Sequence, residues 1–358
     1  MKNKQFMKNK LWALPLSALV VAGCQSSGES NVSQEANLGY SADTTQHLST
    51  NVYLTEFNSA VNFAKQASEL EAAVESYCQS DAVTLDQLKS EWQQTMTAWM
   101  ALQGQERGPA KALEESWNVQ FWPDKKNTTG LKMSQLNQQN KRWTQQGIAM
   151  QSVTVQGLGA LEWSFYDKAS PLLADKASGC QSVTAIAQNL AVKSSAIASA
   201  WQVNPWTSLD EKQWESEYIA LMTNQLDYSM KKLSRPLAKI GKPRPYFSES
   251  WRAQTSLAQL KANVVALEAL YLADGKGLDA ILREQGHQDL ADRVFAQFEQ
   301  TIETWPEQES LFELLQSKEG YRLVLSQYNK LEQLKYLIHE EVAIELGVVI
   351  GFNATDGD

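Results

Sequence analysis

Apolar residues recur at intervals of three or four along most of the chain, and this spacing restricts the fold more than any other feature. Similar stripes cover residues 57–77, 85–102, 182–201, 208–233, 257–271, 290–305 and 311–346. Such a period places the apolar side chains on one face of an α-helix. No segment alternates with the period of two that is typical of β-strands. The sequence therefore predicts an all-α fold of antiparallel helical bundles.

Local motifs predict where some helices begin and where the chain divides. The segments Thr84–Gln87 and Ser208–Glu211 have the spacing of a capping box. A glutamine-rich helix is expected to run from about Ser134 towards Glu162. The segment RPLAKIGKPRPYF, residues 235–247, contains three prolines and one glycine, which is typical of a boundary. We expect two packed halves, at residues 48–240 and 241–358.

The N-terminus has the pattern of a lipoprotein signal peptide. Lysines at positions 2, 4, 8 and 10 precede an apolar run from Leu11 to Ala22, and the segment VAGC ends at Cys24. The run is short for a membrane span and typical of a signal-peptide core. The pattern resembles bacterial lipoprotein signals, which predicts a signal peptide at 1–23, a lipid on Cys24 and a flexible tether at 24–47. An ordinary secretory signal with an incidental cysteine is the alternative.

This interpretation places the protein in the cell envelope. The lipid on Cys24 would attach it to a membrane, and Gln25, where an aspartate would favour the inner membrane, favours the periplasmic face of the outer membrane. The full chain has a net charge of −9, and loss of four signal lysines leaves about −13. A charge of this sign argues against nucleic acid as a partner. It is compatible with cationic ligands, including metal ions.

The two remaining cysteines, Cys78 and Cys180, predict a disulfide bond, because the periplasm is oxidising and two cysteines can pair there. Two separate free thiols are the alternative. A bond between them would close a loop of about 100 residues and stabilise the fold by up to about 4–5 kcal/mol in the chain-entropy model.

Most familiar catalytic motifs are missing from the sequence. The chain has three histidines and no HExxH motif, which argues against the usual zinc proteases. It also lacks GxSxG, GxxxxGK[ST] and GxGxxG. Serine-hydrolase and common nucleotide-binding chemistries are therefore not indicated.

The segment GLGALEW, residues 157–163, is the most unusual local feature. It places Glu162 in an apolar run and puts two glycines, Gly157 and Gly159, inside a predicted helix. Glycine weakens a helix, and a buried carboxylate is costly unless it is paired. Several broken local rules favour a functional site, although a structurally satisfied acid at a helix end would look the same. The guanidinium of Arg252 is the expected partner.

The C-terminal segment GVVIGFNATDGD also departs from a usual polar tail. It carries Asp356 after an apolar run with spaced glycines. This pattern favours a terminus that is held in place and brings a carboxylate into a cleft. An exposed acidic tail is the alternative.

Together these motifs resemble the imelysin-like family of bacterial envelope proteins, whose signature is GxHxxE. The segment GLGALE matches it at Gly157 and Glu162, but Gly159 stands in the place of the histidine. The segments ESWRAQTSLAQLKANVVALEALY and GFNATDGD are similar to a branch described as predicted periplasmic lipoproteins. The resemblance implies an all-helical fold with two bundle-like halves. Many members are iron-regulated lipoproteins, and the family is named for a peptidase whose motif histidine and glutamate were proposed as metal ligands.

The leading hypothesis is a non-enzymatic, lipid-anchored protein that binds a ligand or metal in iron or haem acquisition, with envelope iron-uptake proteins as partners. No catalytic residue is predicted, because Gly159 removes the only nitrogen ligand of the motif. Iron or another divalent metal is a possible cofactor, with Glu162 as a ligand. The cleft between the halves would be lined by Gly157, Gly159, Glu162, Trp251, Arg252 and Asp356. An imelysin-type metallopeptidase is one alternative. An envelope scaffold or carbohydrate-binding protein, suggested by twelve tryptophans, is another.

Overall fold

The computed structural model describes residues 39–80 and 82–348, and all of them belong to one compact unit. Within this part of the chain there are helices and no β-strand, apart from an isolated bridge between Lys239 and Lys242. The all-α prediction is confirmed. The signal peptide, Cys24, most of the tether and Asp356 lie outside the described residues. The division at residues 240 and 241 stays a prediction.

Sixteen α-helices follow one another along the described residues. In chain order they are α1 Thr50–Gln79, α2 Leu85–Trp99, α3 Ala110–Leu113, α4 Ser116–Val119, α5 Thr128–Asn137, α6 Gln145–Ala149, α7 Gly157–Tyr166, α8 Pro171–Ala174, α9 Lys176–Ala200, α10 Glu211–Leu237, α11 Ser256–Leu272, α12 Leu278–Glu284, α13 Gln288–Glu303, α14 Leu311–Leu314, α15 Lys318–Lys335 and α16 Ala343–Glu345. A π-helical segment, Tyr336–Val342, joins the last two. No helix among the described residues is long and apolar enough to cross a membrane.

The two predicted capping boxes have different outcomes. The first is confirmed: the Thr84 side chain accepts a hydrogen bond from the Gln87 backbone, and the Gln87 side chain accepts one from the Thr84 backbone. The second lies two residues further along, because Asp210 and Gln213 form the reciprocal pair at the start of α10. The predicted position of this capping box, Ser208–Glu211, was therefore wrong by two residues.

The continuous helix expected from Ser134 towards Glu162 is also wrong. Helix α5 ends at Asn137, Asn140 adopts a positive φ of 46°, and α6 begins again after Thr144 caps its first turn. Helix α7 then starts at Gly157, where φ is +62°. Left-handed backbone conformations interrupt a right-handed helix. This stretch therefore folds as three short helices.

The long helices form the core. Helix α1 packs along α9 and α2, and α10 packs against α11 and α15. The largest fully buried side chains include Trp92, Trp163, Trp201 and Trp214. Among the described tryptophans only Trp117 is exposed. Most tryptophans therefore stabilise the core.

The predicted disulfide bond is present. Cys78 in the last turns of α1 is joined to Cys180 in the first turns of α9, with 5.7 Å between their Cα atoms. This bond holds together the ends of two helices that already pack along each other.

Candidate functional site

Helix α7 is buried along nearly its whole length, and Gly157 explains how it can lie so close to its neighbours. A Cβ atom at Gly157 would be 2.1 Å from the carbonyl oxygen of Val119 and 2.4 Å from that of Asn118. The positive φ at Gly157 is also one that glycine adopts at little cost. The first glycine of the GLGALEW segment is therefore required by backbone packing.

Glu162 is buried on α7, with 4% of its surface exposed. Its Oε1 atom accepts hydrogen bonds from the backbone N–H groups of Arg252 at 2.9 Å and Ala253 at 3.1 Å. The sequence correctly placed Glu162 next to Arg252. The bonding mode is different from the expected one, because Arg252 meets the carboxylate through its backbone and directs its guanidinium elsewhere.

The Arg252 guanidinium connects two other segments. Its Nε atom donates to Asp167 Oδ2 at 2.8 Å, and its Nη2 atom donates to Asn127 Oδ1 at 2.6 Å. The guanidinium also lies over the ring of Trp251, 4.3 Å from the ring centroid. Arg252 therefore fixes the segment before α11 against the end of α7 and the start of α5.

Burial raises the pKa of Glu162 above its usual range, although the Arg252 charge and the two backbone hydrogen bonds act in the opposite direction. The negative charge of Glu249 adds to the rise. A carboxylate in this position is ionised at a cost, which a positive or hydrogen-donating ligand would reduce.

A small pocket opens beside Glu162. Its volume is about 30 Å³, which is room for a single ion, one or two water molecules or the end of a larger ligand. A Cβ atom at Gly159 would meet only Gln120 Oε1, at 3.7 Å. The glycine that replaces the signature histidine therefore borders open space. Trp251 and Arg252 also line this pocket, whereas Gly157 packs against backbone outside it.

Three further side chains in this pocket carry buried oxygen atoms with no hydrogen-bond partner among the described residues. They are Gln120 Oε1, Ser248 Oγ and Ser250 Oγ. Buried polar groups are nearly always bonded, and an unpaired one costs about 1–3 kcal/mol. These oxygens therefore favour a bound water, ion or polar ligand group. The sequence offered no signal for Gln120, while the two serines flank Glu249 directly before Trp251.

A buried ion pair supports the wall of the pocket that carries the two serines. Lys232 Nζ lies 2.7 Å from Glu249 Oε2, and both side chains are almost fully buried. Gln103 donates to the other carboxylate oxygen at 2.6 Å, and Lys232 also donates to Asn263 at 2.6 Å. Glu249 is thus held on both oxygens, which fixes the backbone between Ser248 and Ser250.

The donor set does not fit a tightly held zinc or iron ion. The described residues contain no group of three or more His, Cys, Asp or Glu side chains that could hold a metal. The Glu162 pocket offers two carboxylates: Glu162 has one oxygen already bonded twice, and Asp124 accepts a backbone hydrogen bond on each of its oxygens. Its other polar ligands are neutral oxygens, with no nitrogen or sulfur ligand. Zinc sites commonly use three or four such protein ligands. The metal chemistry associated with the family signature therefore has no ligand set in this pocket.

Comparison with solved structures shows the same fold in two other proteins. An imelysin-like protein from Psychrobacter arcticum 273-4 is 20% identical, with a TM-score of 0.69, and the alignment covers 87% of this chain and 99% of that one. A putative iron-regulated protein A precursor from Parabacteroides distasonis ATCC 8503 is 12% identical, with a TM-score of 0.64 and coverage of 84% and 96%. No curated protein matches the chain. The family model described as Imelysin matches residues 57–338, most of the chain, and the protein therefore belongs to the imelysin family.

Proposed function

We propose that this protein is a lipid-anchored component of the cell envelope that binds the cationic end of a small ligand in the Glu162 pocket and serves in iron acquisition. The lipoprotein-like N-terminus supports the location. The likeness to a putative iron-regulated protein A precursor supports the connection with iron. Binding without peptide hydrolysis is favoured because Gly159 stands in the place of the signature histidine, and the described residues contain no group of three or more side chains that could hold a catalytic metal.

The observation that carries the proposal is the convergence of two carboxylates, Glu162 and Asp124, and three unpaired buried oxygens on one pocket. All five groups can accept hydrogen bonds, and they line a volume of about 30 Å³. An ammonium group has the matching charge, donors and size. The rest of the ligand would remain outside the pocket, so the pocket recognises one end of a larger molecule.

An iron chelate with a free ammonium end tests this directly. Ferrioxamine B has such a group, and its N-acetylated derivative is the same chelate without the charge. Trp122 and Trp251 line the pocket, so intrinsic fluorescence can follow the titration. We expect ferrioxamine B to bind and the acetylated chelate to bind at least about tenfold more weakly, because charge-assisted hydrogen bonds are the stronger ones.

Glu162→Gln is the matched protein variant, because it keeps the side-chain shape and removes the charge. Binding of ferrioxamine B should fall by about tenfold or more while the thermal unfolding midpoint is retained. Glu303→Gln, at an exposed position, should leave binding unchanged. Equal affinity of the two chelates, or an unaffected Glu162→Gln protein, would refute the proposed ligand.

Two further measurements separate this function from the peptidase alternative. In the native bacterium, deletion of the gene should slow growth under iron limitation, and a Glu162→Gln copy should fail to restore it. Purified protein supplied with zinc should not cleave a peptide library. Peptide cleavage that disappears in Glu162→Gln would replace the binding proposal with the metallopeptidase.

A further inference from the structure

A second pocket, independent of Glu162, lies where α10 ends. Five basic side chains from three segments line it, and its volume is about 540 Å³. We call it the basic pocket; its cations are Lys125 before α5, Arg235 in the last turn of α10, and Lys239, Lys242 and Arg244 in the turn that follows.

Backbone hydrogen bonds fold the turn back over the end of α10. The Lys242 N–H donates to the Lys239 carbonyl at 2.8 Å, and the Arg244 N–H donates to the Pro236 carbonyl at 2.7 Å. The Ala238 N–H donates to the Ser234 carbonyl at 2.9 Å. The chain geometry therefore brings the three cations of the turn back to Arg235.

These cations have no acidic counterpart among the described residues. No acidic side chain lines the basic pocket, and no ion pair within residues 39–80 and 82–348 joins any of the five to a carboxylate. The nearby Asp124 is engaged, since it accepts hydrogen bonds from the Thr128 and Thr129 backbones. Elsewhere in the structure Arg252 and Arg283 each contact a carboxylate at 2.8 Å.

Arg235 gives a second, separate indication. Its Nε atom is buried and has no hydrogen-bond acceptor among the described residues. A buried, unpaired donor on a charged group is costly. The clustered positive charges also repel one another. A bound anion would satisfy the Arg235 donor and reduce the repulsion together.

The number of charges selects the chemical class of the anion. A single carboxylate would leave most of the five cations uncompensated, whereas phosphate groups carry several charged oxygens and bind arginine and lysine well. The volume exceeds that of one inorganic phosphate. We propose that the basic pocket binds phosphate groups, either of a soluble phosphorylated molecule or of a phospholipid headgroup.

Two measurements test this binding and distinguish a soluble phosphorylated ligand from a phospholipid headgroup. Both use the protein from residue 25 onward, which carries no lipid. Calorimetric titration with pyrophosphate measures the soluble arm. Flotation with phosphatidylglycerol vesicles, compared with phosphatidylcholine vesicles, measures the headgroup arm. Binding of pyrophosphate supports a soluble ligand, and binding of phosphatidylglycerol vesicles alone supports a headgroup. Absence of both overturns the proposal.

Charge-matched variants decide whether the basic pocket is responsible. Lys239→Glu/Lys242→Glu should weaken binding by about tenfold or more, and Arg235→Gln should weaken it with a smaller change in charge. Lys111→Glu/Arg142→Glu makes the same charge change at exposed positions outside the pocket and should leave binding unchanged. Equal loss in the control pair would show attraction by bulk charge and overturn the proposal. Unfolding midpoints of all variants confirm that each is folded.

Discussion

Two buried glutamates are accommodated by different neighbours. Glu162 accepts hydrogen bonds from two backbone amides and lies near the positive Arg252. Glu56 on α1 is equally buried, and its side chain accepts a hydrogen bond from the Gln105 side chain. Burial raises the pKa of Glu56 to about 8, because this hydrogen bond offsets only part of the lost hydration. Glu56 is therefore mainly protonated at neutral pH.

The raised pKa of Glu56 makes stability depend on pH. Between its usual value of 4.5 and about 8, the folded protein retains a proton that the unfolded chain releases, so the free energy of unfolding falls as pH rises through this range. Glu56→Gln should remove this decline and stabilise the protein near pH 9 by on the order of 3 kcal/mol. Urea unfolding across this range measures it. Parallel pH profiles for the two proteins would contradict the assignment.

The Lys232–Glu249 pair makes a different prediction, because each charge depends on the other. Lys232→Met should destabilise the protein by about 3–5 kcal/mol, since it leaves a buried carboxylate unpaired. Adding Glu249→Gln should recover much of that loss. A double-mutant cycle by urea unfolding measures the coupling. Additive effects of the two substitutions would show that the pair does not interact as its 2.7 Å distance implies.

At this scale the sequence identified Glu162 because a charge in an apolar run breaks a local rule. It could not identify the groups that meet Arg252. Along the chain Arg252 lies 85 residues from Asp167 and 125 residues from Asn127. Only the folded arrangement of α5, α7 and the segment before α11 brings them together. The same reason applies to Gln120, whose neighbours in the sequence give no indication of a pocket.

Among the elements, α7 contains two glycines with opposite requirements. Gly157→Ala should destabilise the protein by roughly 2–4 kcal/mol, because its Cβ atom would meet the Val119 carbonyl at 2.1 Å in a positive-φ conformation. Gly159→Ala is the matched control, since only Gln120 Oε1 lies near the added atom. It should be neutral or stabilising by up to about 1 kcal/mol. Similar losses of stability in Gly157→Ala and Gly159→Ala would contradict the different roles of the two glycines.

The same helix shows which elements a sequence can specify. Long apolar stripes predicted α1, α2, α9 and α10 because a helix period repeats over many turns. The prediction of one continuous helix from α5 to α7 was wrong because the breaks between these helices depend on single residues with positive φ, such as Asn140. Asparagine permits that conformation without requiring it, so the sequence alone does not decide where such a helix stops.

For the whole molecule, the fold class depends on local sequence patterns, whereas the Glu162 pocket depends on how distant segments pack together. The all-α class follows from periodicity that is local to each helix. The Glu162 pocket needs α7, the residues before α5 and the segment before α11 to be placed against one another. The basic pocket was missed because four of its cations look, in sequence, like ordinary solvated charges in a proline-rich boundary, and the fifth, Lys125, lies far earlier in the chain. That no acidic side chain of the described residues lines this pocket is visible only in three dimensions.

The Cys78–Cys180 bond acts on the whole molecule, and it separates stability from binding. It links residues 102 positions apart, so in the chain-entropy model its loss should lower the free energy of unfolding by about 3–5 kcal/mol. In this model the effect arises mainly in the unfolded chain, since in the folded protein α1 and α9 also pack against each other. Neither cysteine lines the Glu162 pocket. Cys78→Ala/Cys180→Ala should therefore unfold at lower urea concentration and still bind ferrioxamine B with wild-type affinity. Reduced wild-type protein should unfold at the same urea concentration as this variant and bind ferrioxamine B with the same affinity. A loss of binding together with the loss of stability would show that the bond shapes the pocket itself.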